Sequence, residues 1–208
     1  YLKNVISEFP EVIKGRAATP AHDKLFVIRD DAEAKKLSEE QALAFHHTVA
    51  QLLFMATRAR RDIQTAVAFL TTRVKHPDED DWGKLKRVLK YLYGTRHMKL
   101  CLTVENLDNI TWWVDASYAV HWDSRSHMGM VMSLGLGAVM SGSWRQKLNT
   151  GSSTKAELVG IDDALKYIMW GLYFIQAQGF KVKKNILMQD NKSTILMASN
   201  GRFSCTKR

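Results

Sequence analysis

The 208-residue sequence predicts a mixed α/β protein, a helical segment followed by a mixed β-sheet flanked by helices. Three observations carry this. Helix-start signals and apolar residues at helical spacing fill residues 38 to 95. From Leu100 the pattern changes to short runs rich in β-branched and aromatic residues, divided by glycines. The composition, 46% hydrophobic and 25% charged with 3 prolines and 12 glycines, is that of a globular chain.

Residues 1 to 37 read as an irregular linker, punctuated by Pro10, Gly15 and Pro20. Ser38-Glu39-Glu40-Gln41 is a capping box, in which the serine oxygen accepts a backbone N–H and the glutamine reaches back. The helix it opens runs to about Arg58, with Val49, Leu52, Leu53 and Ala56 on its apolar face. A second helix is expected from Asp62 to about Lys75, burying Ile63, Val67, Leu70 and Val74. Pro77 and the acids Asp78 to Asp81 open a third, closed by Gly94. Four acids in one turn invite a metal reading, but carboxylates at a helix start complement its dipole, and capping is the better explanation.

Leu100–Val104, Ile110–Val114, Met128–Leu134 and Ala138–Trp144 read as strands, the last two joined by a Gly135-Leu136-Gly137 hairpin. Ser152-Ser153-Thr154 starts a long helix whose buried stripe is expected at Leu158, Ile161, Leu165, Met169 and Leu172, ending at Gly179. Lys184–Gln189 is another strand and Asn191 to about Ser199 a short helix. The sequence then stops without a closing element, which reads as a C-terminal truncation.

Several classes are excluded. No run of 18 apolar residues occurs, so no membrane-spanning helix is expected. Cys101 and Cys205 form no CxxC pair, which removes a disulfide scaffold and a cysteine-rich zinc site. His46, His47, His76, His97, His121 and His127 lack zinc-binding spacing and read as surface or partly buried residues. The net charge of +9 points to a polyanionic partner, foremost nucleic acid.

Three carboxylates stand where chemistry could use them. Asp115 ends the Trp112-Trp113-Val114 strand, Glu157 lies in the first turn of the long helix, and Asp190 ends the last strand. Each has a local explanation: a solvated strand-end acid, a Thr154-x-x-Glu157 capping box, and an N-cap for the following helix. In a sheet with its first strand central they could instead converge. Their mutual repulsion would then be relieved by divalent cations such as Mg²⁺, which prefers hard oxygen ligands. Two such ions can drive phosphodiester hydrolysis.

The residues resemble the C-terminal part of copia-type retrotransposon polyproteins. In the helical half the matches are Ala56-Thr57-Arg58, Arg61-Asp62-Ile63, Pro77, Trp82, Leu85-Lys86-Arg87-Val88-Leu89, Tyr91-Leu92 and Gly94-Thr95. In the second half Asp115-Ala116, Arg125-Ser126 to Gly129, Ser143-Trp144-Arg145-Gln146-Lys147, Ser152-Ser153-Thr154-Lys155-Ala156-Glu157 and Asp190-Asn191-Lys192-Ser193 follow the family's RNase H motifs in order. The resemblance implies a thumb- or connection-like segment of reverse transcriptase over 38 to 99. It implies an RNase H-like domain, incomplete at the C-terminus, over 100 to 208. Asp115, Glu157 and Asp190 take the places of the family's catalytic, metal-binding acids. The implied reaction is hydrolysis of the RNA strand of an RNA–DNA hybrid with two Mg²⁺ ions, inside the cell and beside an upstream palm domain. Arg145, Lys147, Lys155 and Lys192 are the candidate nucleic-acid contacts.

The sequence also departs from the pattern. Arg61 replaces a proline, Met130 an aromatic and Lys155 an acid. Thr206-Lys207-Arg208 resembles the threshold of the motif that carries a fourth acid. Asp30-Asp31, Asp80-Asp81 and Asp162-Asp163 lack the aromatic of a polymerase Y-x-D-D motif. A catalytically dead nucleic-acid-binding fragment is therefore the alternative, and an unstable remnant a third reading.

Overall fold

The computed structural model describes residues 1–30, 33–105 and 107–200. Asp31, Cys205 and Thr206-Lys207-Arg208 lie outside the described residues. The chain forms one compact unit over Tyr1–Leu100 and a second beginning at Cys101.

The first unit is helical: α1 (Leu2–Glu8), α2 (Glu39–Arg58), a 3₁₀ turn (Arg61–Ile63), α3 (Gln64–Thr71) and α4 (Glu79–Gly94). The capping box at Ser38 forms with both of its bonds. A second box forms at α4, where Asp78 and Asp81 cap each other's backbone N–H groups. The first-turn acids thus serve the helix, and Asp81 and Asp80 also pair with Arg73 and Lys84. Leu53 does not share the buried face of α2; it is exposed, and Phe45 and Met55 are buried instead. The second helix is shorter than its sequence suggests, because the chain turns after Thr71.

Residues 1 to 37 are not a linker. Val5, Phe9, Ile13 and Leu25 are buried in the core of this unit with Leu52, Leu70 and Leu89. Phe9 stacks on Trp82 at 4.8 Å, and the Trp82 indole donates to Glu11 Oε1 at 2.6 Å. The apolar residues here are too widely spaced for a periodic signal, yet each finds a slot between helices.

The second unit is a four-stranded sheet in the order β3-β2-β1-β4: β1 (Asn109–Ser117), β2 (His127–Ser133), β3 (Met140–Arg145) and β4 (Lys184–Met188). β1 to β3 run antiparallel, and α5 (Ser153–Ala177) carries the chain over to β4, which pairs parallel with β1. α6 (Lys192–Asn200) follows. The fold class is the mixed one the sequence predicts, with β1 central.

Three details differ. Leu100–Val104 is not a strand; Thr103 and Glu105 donate backbone N–H groups to Leu136 and Leu134 at the hairpin, with no ladder. Asp115 does not end its strand, since β1 continues to Ser117. The buried stripe of α5 is shifted by about one residue, to Ala156, Gly160, Ala164, Ile168, Gly171 and Ile175, with Leu165 exposed. The cause is volume. The sheet presents large side chains, Trp112, Met128, Met130 and Met132, so the helix meets them with small ones. A Cβ at Gly171 would lie 2.7 Å from Trp112 Cζ2. Asn185 on β4 accepts the buried Trp112 indole N–H at 2.9 Å, which satisfies its single donor.

Candidate metal centre

The site is built where β1 outruns its neighbour. Pairing of β1 with β4 stops at Trp113–Met188. Beyond it, the Val114 carbonyl and the Ala116 N–H have no strand on the β4 side. Side chains take over: Gln189 Nε2 donates to Val114 O at 3.4 Å, and Ala116 N donates to Glu157 Oε1 at 3.2 Å. Glu157 comes from one turn into α5, Gln189 from the residue after β4, and Asp115 from β1 itself.

The local explanations of Glu157 and Asp190 both fail here. The cap of α5 is Ser152, whose oxygen accepts the Lys155 N–H, so Glu157 is spared. The cap of α6 is Asn191, whose Oδ1 accepts the Thr194 N–H at 3.1 Å, so Asp190 is spared. Asp115, Glu157 and Asp190 each bring a carboxylate oxygen within 4.8 Å of the others, Glu157 buried and the two aspartates exposed. Among the described residues none of the three forms an ion pair.

Burial pushes the Glu157 carboxyl above the usual carboxylate range. The Gln189 and Ala116 N–H bonds oppose that shift, while the charges of Asp115 and Asp190 reinforce it. Three hard oxygen donors, without cationic partners and mutually repelling, are a donor set that fits Mg²⁺. The structure thus brings together the three acids singled out in the sequence, and they could hold a metal ion.

The basic candidates are dispersed. Arg145, at the end of β3, is paired with Asp123 at 3.0 Å. Lys147 is exposed in the loop that follows. Lys155 and Lys192 are exposed at the starts of α5 and α6, which are linked by the Thr194 hydroxyl donating to Thr154 O at 3.4 Å.

Two features escaped the sequence reading. His121 and His127 are neither surface nor partly exposed; both are buried, with His121 Nε2 3.0 Å from His127 Nδ1 and His127 Nε2 2.7 Å from Ser143 Oγ. Burial lowers the His127 imidazole to about 4, and His121 acts in the same direction. Gln189 was read only as the end of a strand.

No family model matches the chain, and no solved structure matches it. The chain shows distant homology to Pol polyproteins of copia-type retrotransposons. The chain is 25% identical over 206 residues, 98% of its length, to "Retrovirus-related Pol polyprotein from transposon TNT 1-94" of Nicotiana tabacum. It is 28% identical over 157 residues to the corresponding polyprotein from transposon RE2 of Arabidopsis thaliana. It spans 15% and 11% of these two relatives. A third relative is short: "Secreted RxLR effector protein 161" of Plasmopara viticola is 29% identical over 123 residues, 87% of its own length.

Proposed function

We propose that the second unit is an RNase H-type nuclease that hydrolyses the RNA strand of RNA–DNA hybrids, as part of a retroelement reverse transcriptase. The convergence of Asp115, Glu157 and Asp190 carries this reading. The distant homology to Pol polyproteins and the charge of +9 support it. The helical unit is then the thumb- or connection-like segment, and the palm that copies the template belongs to the intact polyprotein. The reaction is proposed to take place inside the cell.

In this reading the three carboxylates hold two Mg²⁺ ions. When bound, these supply an activated water at neutral pH and charge compensation at the departing oxygen of the phosphodiester. The chain's own contribution is placement. Ala116 N and Gln189 fix Glu157 from two sides, and the end of β1 fixes Asp115. Lys155 and Lys192, exposed at the starts of α5 and α6, are the contacts proposed for backbone phosphates, which are the part of a hybrid read without regard to sequence. The test replaces each acid in turn. Asp115→Asn, Glu157→Gln and Asp190→Asn should each reduce Mg²⁺-dependent cleavage of a hybrid by a hundredfold or more while leaving hybrid binding intact. Retention of full cleavage in Asp115→Asn would sink the proposal.

A second reading has one observation in its favour. The short effector relative matches 123 residues, 59% of this chain, over 87% of its own length, so a region like that part of the chain also occurs outside a long polyprotein. On that reading the chain binds nucleic acid without turnover. Salt-sensitive hybrid binding with no cleavage at any Mg²⁺ concentration would select it.

A further inference from the structure

The side chain of Gln189 is held at both ends. Its Oε1 accepts the Asn191 backbone N–H at 2.9 Å. A backbone N–H can only donate, so the amide oxygen must face Asn191 and the NH₂ must face the other way. There it meets two acceptors, Glu157 Oε2 at 3.1 Å and Val114 O at 3.4 Å. The shorter bond goes to the carboxylate. Glu157 is thereby gripped through both oxygens, Oε1 by the Ala116 N–H and Oε2 by Gln189. Each carboxylate oxygen can accept more than one bond, so both remain able to bind a cation. Gln189 lies between β4 and Asp190, so one short segment supplies one acid and orients another.

We infer that Gln189 is a positioning residue for the metal centre, fixing the Glu157 carboxylate toward Asp115 and Asp190 by a bond from its side-chain amide. The inference rests on the metal reading of the three acids. Groups that orient metal-binding carboxylates typically contribute 10- to 100-fold in affinity. Gln189→Met keeps the length and removes the amide. In the full chain, its Mn²⁺ affinity measured by isothermal titration calorimetry should fall about tenfold. Its thermal unfolding without metal should stay close to that of the parent.

A cycle with Glu157→Gln separates positioning from general damage. The Glu157→Gln chain keeps Asp115 and Asp190 as a weaker site. If Gln189 acts through Glu157, adding Gln189→Met to it changes Mn²⁺ affinity little further. Equal affinity of parent and Gln189→Met, or the same loss in both backgrounds, overturns the role given to Gln189. Absence of Mn²⁺ binding in the parent chain overturns the metal reading on which it rests.

Discussion

Asp115, Glu157 and Asp190 were each visible in the sequence with an ordinary alternative explanation, and the alternatives for two of them were removed by neighbours. Ser152 rather than Thr154 caps α5, and Asn191 rather than Asp190 caps α6. Local spacing allows several capping registers, and only the packed chain selects one. Gln189 and the His121–His127 pair were not legible, because their roles depend on contacts between elements far apart in sequence. The histidines give a pH prediction. An unfolded histidine titrates near 6.5, whereas burial holds His127 at about 4. The folded state therefore binds fewer protons in this window. His127 contributes stability above pH 6.5, and the contribution is lost as the pH falls from 6.5 through 4. It amounts to roughly 3 kcal/mol. His121 is shifted in the same direction, by burial first and by the Arg145 charge second. Urea unfolding of the full chain at pH 7 and pH 4.5 should show the decline, and His127→Gln should flatten it. An equal decline in the variant would assign the effect to other groups.

Elements were read well where a local bond defines them. The capping box at Ser38, the acids at the start of α4 and the Gly135–Gly137 hairpin all form. They were misread where volume decides. The apolar pattern of α5 points to Leu165, but the sheet beneath is crowded by Trp112 and three methionines, so Gly160, Ala164 and Gly171 face it. Periodicity reports hydrophobicity and says nothing of size. The same logic predicts that Gly171→Val is severe, because even a Cβ comes within 2.7 Å of the buried Trp112 ring. Overpacking of this kind costs about 1–3 kcal/mol, measurable as a lower urea midpoint. A midpoint equal to that of the parent would show that Trp112 moves freely. Asn191→Ala should cost about 1 kcal/mol through loss of its cap at α6. It should also loosen the Asp190 segment, seen as faster amide exchange at Thr194. Unchanged exchange there would deny Asn191 its capping role.

For the whole molecule, the division into a helical and a sheet unit was legible from the change of pattern at Leu100, one residue from the observed boundary at Cys101. The role of residues 1 to 37 was not. Their buried side chains answer to slots between α2 and α4 rather than to a repeat in the sequence. No helix among the described residues is long and apolar enough to cross a membrane. The net charge of +9 sets the expected behaviour toward polyanions. Hybrid binding should weaken steeply with salt, each phosphate contact adding about −0.9 to the slope of log K against log salt for B-form duplexes. Replacing Lys155 and Lys192 by alanine should reduce that slope by about 1 per residue lost. A slope unaffected by both changes would move the binding surface elsewhere.

The most direct measurement uses one hybrid labelled on the RNA strand and, separately, on the DNA strand, incubated with the 208-residue chain in Mg²⁺ or in chelator. Cleavage of the RNA label alone, present with Mg²⁺ and absent with chelator, is the expected result. Cleavage that persists in chelator, or an intact RNA strand in a hybrid that the chain has bound with Mg²⁺ present, would contradict the assignment of Asp115, Glu157 and Asp190 as a metal-dependent ribonuclease centre.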